Sequence, residues 1–398
     1  MTKKYIHPWL VVLGAICIQI SIGAIYSWSL FNQPLMDQFN WTKNQVILTF
    51  SIAIFTFAFS TIFSGKLQDK LGPKIVATIG GLLYGGGLTL ASFSTTIIEL
   101  YIYYGIIAGA GVGFAYVCPL STCVKWFPHK KGFITGITVG AFGMGSLLFK
   151  SIIESFLLSY GISNTFLYLG IIYTTLVLIG AQFLVLPPKN HAPISETIQS
   201  IDINNFSVQQ MLHTKSFYLL WIMYFFACVS GLLVISLAKD IGIQLANLPS
   251  SVAAYAVALI GLFNAGGRVI WGSLSDKLGR IKIVFIMFII TSVCMIMMSF
   301  IPLNFILFFI FISGIAFCFG GFLSVFPTIT SDFYGIKNFG ANYGIMYQAY
   351  GLAALAGPFI IQSSGGLKPT FIISSILSII GGCITFMVKP SSFIKPLK

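Results

Sequence analysis

The sequence predicts an all-α integral membrane protein, with twelve transmembrane helices arranged as two pseudo-symmetric six-helix bundles. Three observations predict it. The 398 residues are 57% hydrophobic and only 8% charged, with a mean hydropathy of +0.94, a composition typical of membrane-embedded chains. Twelve continuous apolar runs are long enough to cross a hydrocarbon core, which takes about 20 residues. A glycine-bounded motif recurs at an offset of 207 positions, which marks an internal duplication.

The runs fall at 9–33, 44–64, 75–94, 99–124, 133–157 and 165–186, then at 216–238, 251–272, 282–301, 304–330, 340–362 and 369–388. They are continuously apolar rather than alternating, so helices are expected in place of barrel strands. The first run follows a short basic stretch, Met1 to His7. It is too long for a signal h-region and carries Tyr26, Trp28 and Gln33, so no cleavable leader is expected. The second run is followed by Gly65-Lys-Leu-Gln-Asp69-Lys-Leu-Gly72, and the eighth by Gly272-Ser-Leu-Ser-Asp276-Lys-Leu-Gly279. Fainter echoes pair Pro119 with Pro327, Gly136 with Gly344, Ala141 with Ala349 and Gly143 with Gly351. Between the sixth and seventh runs lies the longest polar stretch, with Pro187, Pro188, Pro193, Glu196 and Asp202. It reads as a cytoplasmic linker with a short surface helix at Ser207 to Leu212. The expected organisation is therefore a six-helix bundle over 1–186, a linker over 187–215 and a second bundle over 216–398.

The formal net charge is +13, but its distribution argues for membrane orientation rather than nucleic acid. Loops on the side of the amino terminus hold Lys66, Lys70, Lys74, Lys125, Lys130, Lys131, Lys277, Arg280 and Lys282 among others; the opposite side holds Lys43, Lys239 and Lys368. The positive-inside rule then places both termini in the cytoplasm. All seven cysteines fall within predicted spans without zinc-site spacing, and the four histidines lie in or beside cytoplasmic loops. No metal, cofactor or intramembrane histidine relay is expected. No phosphate-binding GxxxxGK[ST] loop occurs, so energy would come from a gradient or another protein.

Several residues carry chemistry. Arg268 lies inside the eighth run and is one of only two arginines. A guanidinium there costs roughly 3 kcal/mol on insertion scales unless it meets water or an anion, and it cannot shed its proton. It reads as the binding group for a substrate carboxylate, with Asn264 one turn away to orient the same ligand. The competing reading is an interfacial anchor, because Gly272 is four residues on, roughly 6 Å of helix. In the repeated motif, Gly65 and Gly272 would permit tight crossing as a helix ends. Asp69 and Asp276 would sit near a helix N-terminus or pair with a cation. Gly72, Gly279 and Arg280 complete this conformational motif. Gly132, Gly136 and Gly140 on the fifth run, with Gly340 and Gly344 on the eleventh, form small-residue stripes for close helix approach, either as plain packing or as smooth contacts on which two halves rock. Lys150 and Glu154 share a face of the fifth run; they read as a self-neutralising boundary pair, with Glu154 the candidate proton site in the alternative. Lys239-Asp240 reads as an outer interfacial pair, and Gln19, Gln33 and Gln348 as polar candidates to line a cavity.

The two motif copies, each after an even-numbered span, resemble the loop motif of the major facilitator superfamily. Within it the chain most resembles the oxalate/formate antiporter family, through Gly23-Ala-Ile-Tyr26-Ser-Trp28-Ser-Leu-Phe31, Asn264-Ala-Gly-Gly-Arg268-Val-Ile-Trp-Gly272 and Asn342-Tyr343-Gly344-Ile-Met-Tyr347-Gln-Ala-Tyr350-Gly351. The resemblance implies a central site near the midplane and alternating access for small organic anions. It gives Arg268 the role of the eighth-helix arginine that binds carboxylate. Where the family's oxalate carriers add a lysine on the eleventh helix, this chain has Tyr350. One cation suits one carboxylate, so a monocarboxylate such as lactate, pyruvate or formate is expected rather than oxalate. The family's aromatic wall maps to Tyr26, Tyr116, Phe142 and Tyr347, with Phe142 the repeat mate of Tyr350.

Moving one negative charge inward against 100 mV costs about 2.3 kcal/mol, which proton symport or anion exchange would remove. An exporter of cationic or apolar compounds would need intramembrane acids facing the cavity, and an enzyme a catalytic cluster; only Glu154 hints at the first, and nothing suggests the second. The expectation is a monomeric, multi-pass, non-enzymatic carrier in the plasma membrane.

Overall fold

The computed structural model describes residues 7–188, 205–253 and 255–389. These residues form helices and connections, with no strand among them. Nine described helices are long and apolar enough to cross a membrane. One of them, Lys131–Gln182, holds two expected spans. It bends at Gly161, whose φ of +73° is open to glycine but strained for other residues. The expected eighth span is Tyr255–Leu278. The eleventh is divided into Phe339–Met346 and Gln348–Ser364. The membrane helices in chain order are α1 (Pro8–Gly23), α2 (Lys43–Leu71), α3 (Pro73–Ala91), α4 (Ile97–Trp126), α5 (131–160), α6 (162–182), α7 (Lys215–Gln244), α8 (Tyr255–Leu278), α9 (Arg280–Phe300), α10 (Phe305–Tyr334), α11 (Phe339–Ser364) and α12 (Leu367–Met387).

Local chemistry sets the ends. Thr42 and Gln45 close a capping box at the start of α2, and Thr96 with Glu99 does the same for α4. The Asn304 side chain accepts from Leu307 N at 2.9 Å to start α10. Gly72 and Gly279, with φ of +90° and +93°, turn the chain between α2 and α3 and between α8 and α9. The linker yields one short helix, Val208–Leu212, capped by Ser207 and Gln210. Glu196 and Asp202 lie outside the described residues.

Three expectations change. The motif was expected in a loop, but Gly65 and Gly272 lie inside α2 and α8, which continue to Leu71 and Leu278. Buried contacts across the molecule give these extra turns a packing surface that hydropathy alone does not show. The first span is not one helix: α1 stops at Gly23, a 3₁₀ stretch covers Ala24–Leu30, and a separate helix follows at Asn32–Phe39. The eleventh span tightens at Tyr347, where Tyr350 N bonds the Tyr347 carbonyl three residues back at 3.0 Å. Both irregularities fall where the candidate site residues lie, and tightened turns are frequent at functional positions.

The duplication is visible in contact geometry. On one seam α5 meets α8. A Cβ on Gly132 would strike the Gly272 carbonyl, and one on Gly136 the Arg268 carbonyl. On the other seam α11 meets α2. A Cβ on Gly340 would press Gln68, one on Gly344 the Thr61 carbonyl, and one on Gly65 the Gly340 carbonyl. Small residues are what allow backbones this near to one another.

Candidate functional site

The site lies between these seams. Arg268 is 1% exposed, so it is no interfacial anchor. Its Nε donates to Asn264 Oδ1 at 3.0 Å, and its Nη1 donates to the Val139 carbonyl of α5 at 2.5 Å. Asn264, one turn earlier on α8, is itself buried, and its amide reaches the Ala316 carbonyl of α10 at 3.4 Å. The guanidinium carbon stands 5.7 Å from the centre of the Phe142 ring, within cation–π range. Among the described residues it makes no ion pair with a carboxylate. A buried charge is costly unless paired and hydrogen-bonded, and Arg268 has the hydrogen bonds without the counter-charge.

Aromatic rings cluster beside it. Phe142 meets Tyr26 edge-on at 5.1 Å and Tyr116 at 5.5 Å. Tyr116 lies 5.0 Å from Tyr347, which stacks on Tyr350 at 4.9 Å. The Tyr26 and Tyr350 hydroxyls hydrogen-bond to each other, joining the 3₁₀ stretch after α1 to α11. Tyr26, Tyr116, Phe142, Asn264, Tyr347, Tyr350 and Arg268 thus meet in one place.

Sequence reasoning missed Phe57. Its ring sits 5.1 Å from Tyr116, 5.4 Å from Tyr347 and 6.0 Å from Phe142. The signal was available: Phe57 and Asn264 are repeat mates at the 207-residue offset. Tyr224 and Tyr343 were also missed; each flanks Tyr347, at 6.3 and 5.5 Å.

Other candidates lie elsewhere. Gln348 sends its amide into the α2–α11 seam, to the Ala58 carbonyl at 2.7 Å and the Gly344 carbonyl at 2.8 Å. Gln33 is exposed and bonds Asp37. Gln19 is buried and donates to the Tyr116 carbonyl at 3.2 Å. Glu154 pairs with Lys150 at 3.7 Å, both about half exposed. Val139 and Glu154 are separated by roughly 22 Å of helix, so this pair is remote from Arg268. The Lys239 and Asp240 side chains lie outside the described residues.

The motif carboxylates grip the opposite partner of each seam. Asp276 on α8 accepts from Gly132 N at 3.0 Å and Phe133 N at 2.9 Å, the first turn of α5. Asp69 on α2 accepts from Ala341 N at 3.0 Å in the first turn of α11. Both place negative charge where a helix dipole favours it. The α5–α8 seam is reinforced: Arg280 pairs with Asp276 at 2.6 Å and with Asp332 at 3.0 Å, and Lys131 pairs with Asp332 at 2.8 Å. At Asp69 the nearest cation is Lys125 at 3.7 Å.

A sequence profile of the Major Facilitator Superfamily matches residues 11–358 and 220–396. The chain belongs to that superfamily. It is 36% identical over 347 residues to an uncharacterized MFS-type transporter, YhjX, of Escherichia coli strain K12, covering 87% of this chain and 86% of that one. It is 30% identical over 389 residues to the oxalate:formate antiporter of Oxalobacter formigenes, covering 96% and 92%. The solved structure of the proton:xylose symporter XylE superposes with a TM-score of 0.73 at 14% identity, covering 96% of each chain. That likeness establishes the fold. The protein is a multi-pass membrane transporter of this superfamily, built as two pseudo-symmetric six-helix bundles.

Proposed function

We propose that this transporter carries small organic anions, specifically monocarboxylates such as lactate, pyruvate or formate, by alternating access with proton symport or anion exchange. The observation that carries the reading is Arg268: a permanent cation, 1% exposed, hydrogen-bonded but without a carboxylate partner among the described residues, beside an aromatic cage. An entering carboxylate supplies the missing charge. Neutralising Arg268 also removes a penalty against closing the cage around the substrate, which couples binding to movement of the halves.

A dicarboxylate exchange of the oxalate:formate kind is the alternative, supported by the relative of that name. Tyr350 weighs against it, because it stands where a second cation would be needed. The Asp69 and Asp276 contacts act as catches on the two seams, released as the halves separate on that side. The basic loops orient both termini to the cytoplasm of a plasma-membrane carrier acting as a monomer. The deciding experiment is radiolabelled uptake into proteoliposomes with lactate, pyruvate, formate and oxalate, with and without a pH gradient. Uptake of a monocarboxylate that Arg268→Ala abolishes is the expected result; uptake of none of the four, or uptake indifferent to that substitution, overturns the reading.

A further inference from the structure

Asn264 is engaged at both ends of its amide. Its Oδ1 accepts from Arg268 Nε at 3.0 Å, and its Nδ2 donates to the Ala316 carbonyl at 3.4 Å. The residue is 5% exposed and lies where α5, α8 and α10 meet. Glycines make the room. A Cβ on Gly143 of α5 would stand 3.3 Å from Asn264 Oδ1, and one on Gly320 of α10 would strike the Asn264 carbonyl. A chain of hydrogen bonds therefore runs from α10 through Asn264 and Arg268 to the Val139 carbonyl of α5. It holds the guanidinium by Nε and Nη1. An aspartate has the same shape and could accept from Nε equally well, but it would lay a negative charge on the guanidinium. The acids on these three helices are engaged away from Arg268: Asp276 of α8 and Asp332 of α10 with Arg280, and Glu154 of α5 with Lys150. The other ionisable side chains of the cage are the phenols of Tyr26, Tyr116, Tyr347 and Tyr350, a type that stays uncharged near neutral pH.

We infer that Asn264 is a positioning residue: it aims the Arg268 guanidinium at the substrate and, being uncharged, leaves that cation uncompensated until an acid arrives. The inference rests on the anion reading of Arg268. Where the sequence suggests that Asn264 orients the ligand, its bonds go instead to Arg268 and Ala316. The neutrality has a consequence for protons. A carboxylate at position 264 would pair with Arg268, and an incoming acid would have to displace it, most readily once that carboxylate had taken up a proton. An amide makes no such demand. Substrate binding is thereby separated from any protonation of the arginine's own partner.

Uptake of labelled lactate, pyruvate and formate by the reconstituted full chain is measured against concentration, from about pH 6 to 8, where these acids stay ionised. Melting temperature in detergent checks the fold of each variant. Asn264→Asp should raise KM above that of the unmodified protein. The excess should grow with pH by up to about tenfold per unit, because one proton is then taken up with each substrate. An excess that is equal at every pH is that of a misplaced side chain and overturns the inference. A double-mutant cycle with Arg268→Lys separates holding the arginine from touching the substrate. With Arg268 in place, Asn264→Ala should raise KM roughly three- to tenfold, the worth of a hydrogen bond. In Arg268→Lys, whose ammonium has no fork to aim, that cost should disappear. A cost equal in both backgrounds makes Asn264 a direct substrate ligand and overturns the positioning role. Uptake of none of the three acids by the unmodified protein overturns the anion reading itself; uptake that depends on Arg268 but is indifferent to both Asn264 variants overturns this inference alone.

Discussion

Replacing Arg268 by lysine keeps the charge and removes the fork. In the structure the guanidinium divides its work: Nε is held by Asn264 at 3.0 Å, and Nη1 by the Val139 carbonyl at 2.5 Å. The remaining donors are those that can meet a carboxylate side by side, the geometry that makes arginine–carboxylate pairs strong. An ammonium is a point charge without this planar arrangement. It cannot hold both Asn264 and the Val139 carbonyl while presenting two parallel donors. Hydrogen bonds to charged groups are worth about 1.5–3 kcal/mol each. Losing one of the pair should therefore weaken substrate binding by roughly ten- to 150-fold. Arg268→Ala removes the charge as well, and breaking a buried pair costs about 3–5 kcal/mol, a loss of at least a hundredfold. The assay is concentration-dependent uptake in proteoliposomes, with substrate-induced thermal stabilisation as an independent measure of binding. The graded order, arginine above lysine above alanine, is the signature of carboxylate recognition. Equal uptake by all three proteins would refute it.

The other predictions concern the seams and the charge count. Asp276→Asn should disturb closure more than Asp69→Asn, because Asp276 holds two backbone amides and Arg280 at 2.6 Å, whereas Asp69 holds one amide with Lys125 at 3.7 Å; labelling of single cysteines placed along each seam checks it, and equal effects would contradict the asymmetry. Tyr350→Lys supplies a second cation to the cage and should shift preference toward dicarboxylates in a competition panel; an unchanged ranking would count against its place in the site. Glu154→Gln should leave the pH dependence of uptake unchanged, since the pair with Lys150 is half exposed and distant from Arg268; a flattened pH profile would instead make Glu154 the proton carrier.

Most of the fold could be read from the chain because membrane helices announce themselves by length and apolarity, and the repeated motif announces the duplication. The failures have a common physical cause. Gly65 and Gly272 look like helix ends in sequence, yet the helices run on because Asp69 and Asp276 find amides on another helix, a tertiary contact no local pattern reveals. The 3₁₀ turns around Tyr26 and the tightening at Tyr347 preserve the apolar character of their runs, so hydropathy passes straight through them. Arg268 was legible because a charge in an apolar run is conspicuous. Phe57, Tyr224 and Tyr343 were not, being ordinary aromatic residues among 38 phenylalanines and 17 tyrosines. Only the repeat offset singles out Phe57, and only the ring contacts with Tyr347 single out the other two. Gln348 shows the converse: a polar residue in an apolar run can be consumed by backbone carbonyls of its neighbours.

Asp69 and Asp276 find their side-chain partners, Lys125 and Arg280, within their own half, and across the seams they hold main-chain N–H groups. Every amino acid except proline offers that group, so positions 133 and 341 are free to drift in identity while the fastening endures. Proline is the one replacement that deletes the donor outright, and an early helical turn is where a helix tolerates it. Ala341→Pro would therefore unfasten the α2–α11 seam, and Phe133→Pro would take one of the two bonds from the α5–α8 seam, each leaving every charge in place and so separating the geometry of the clasp from the electrostatics around it.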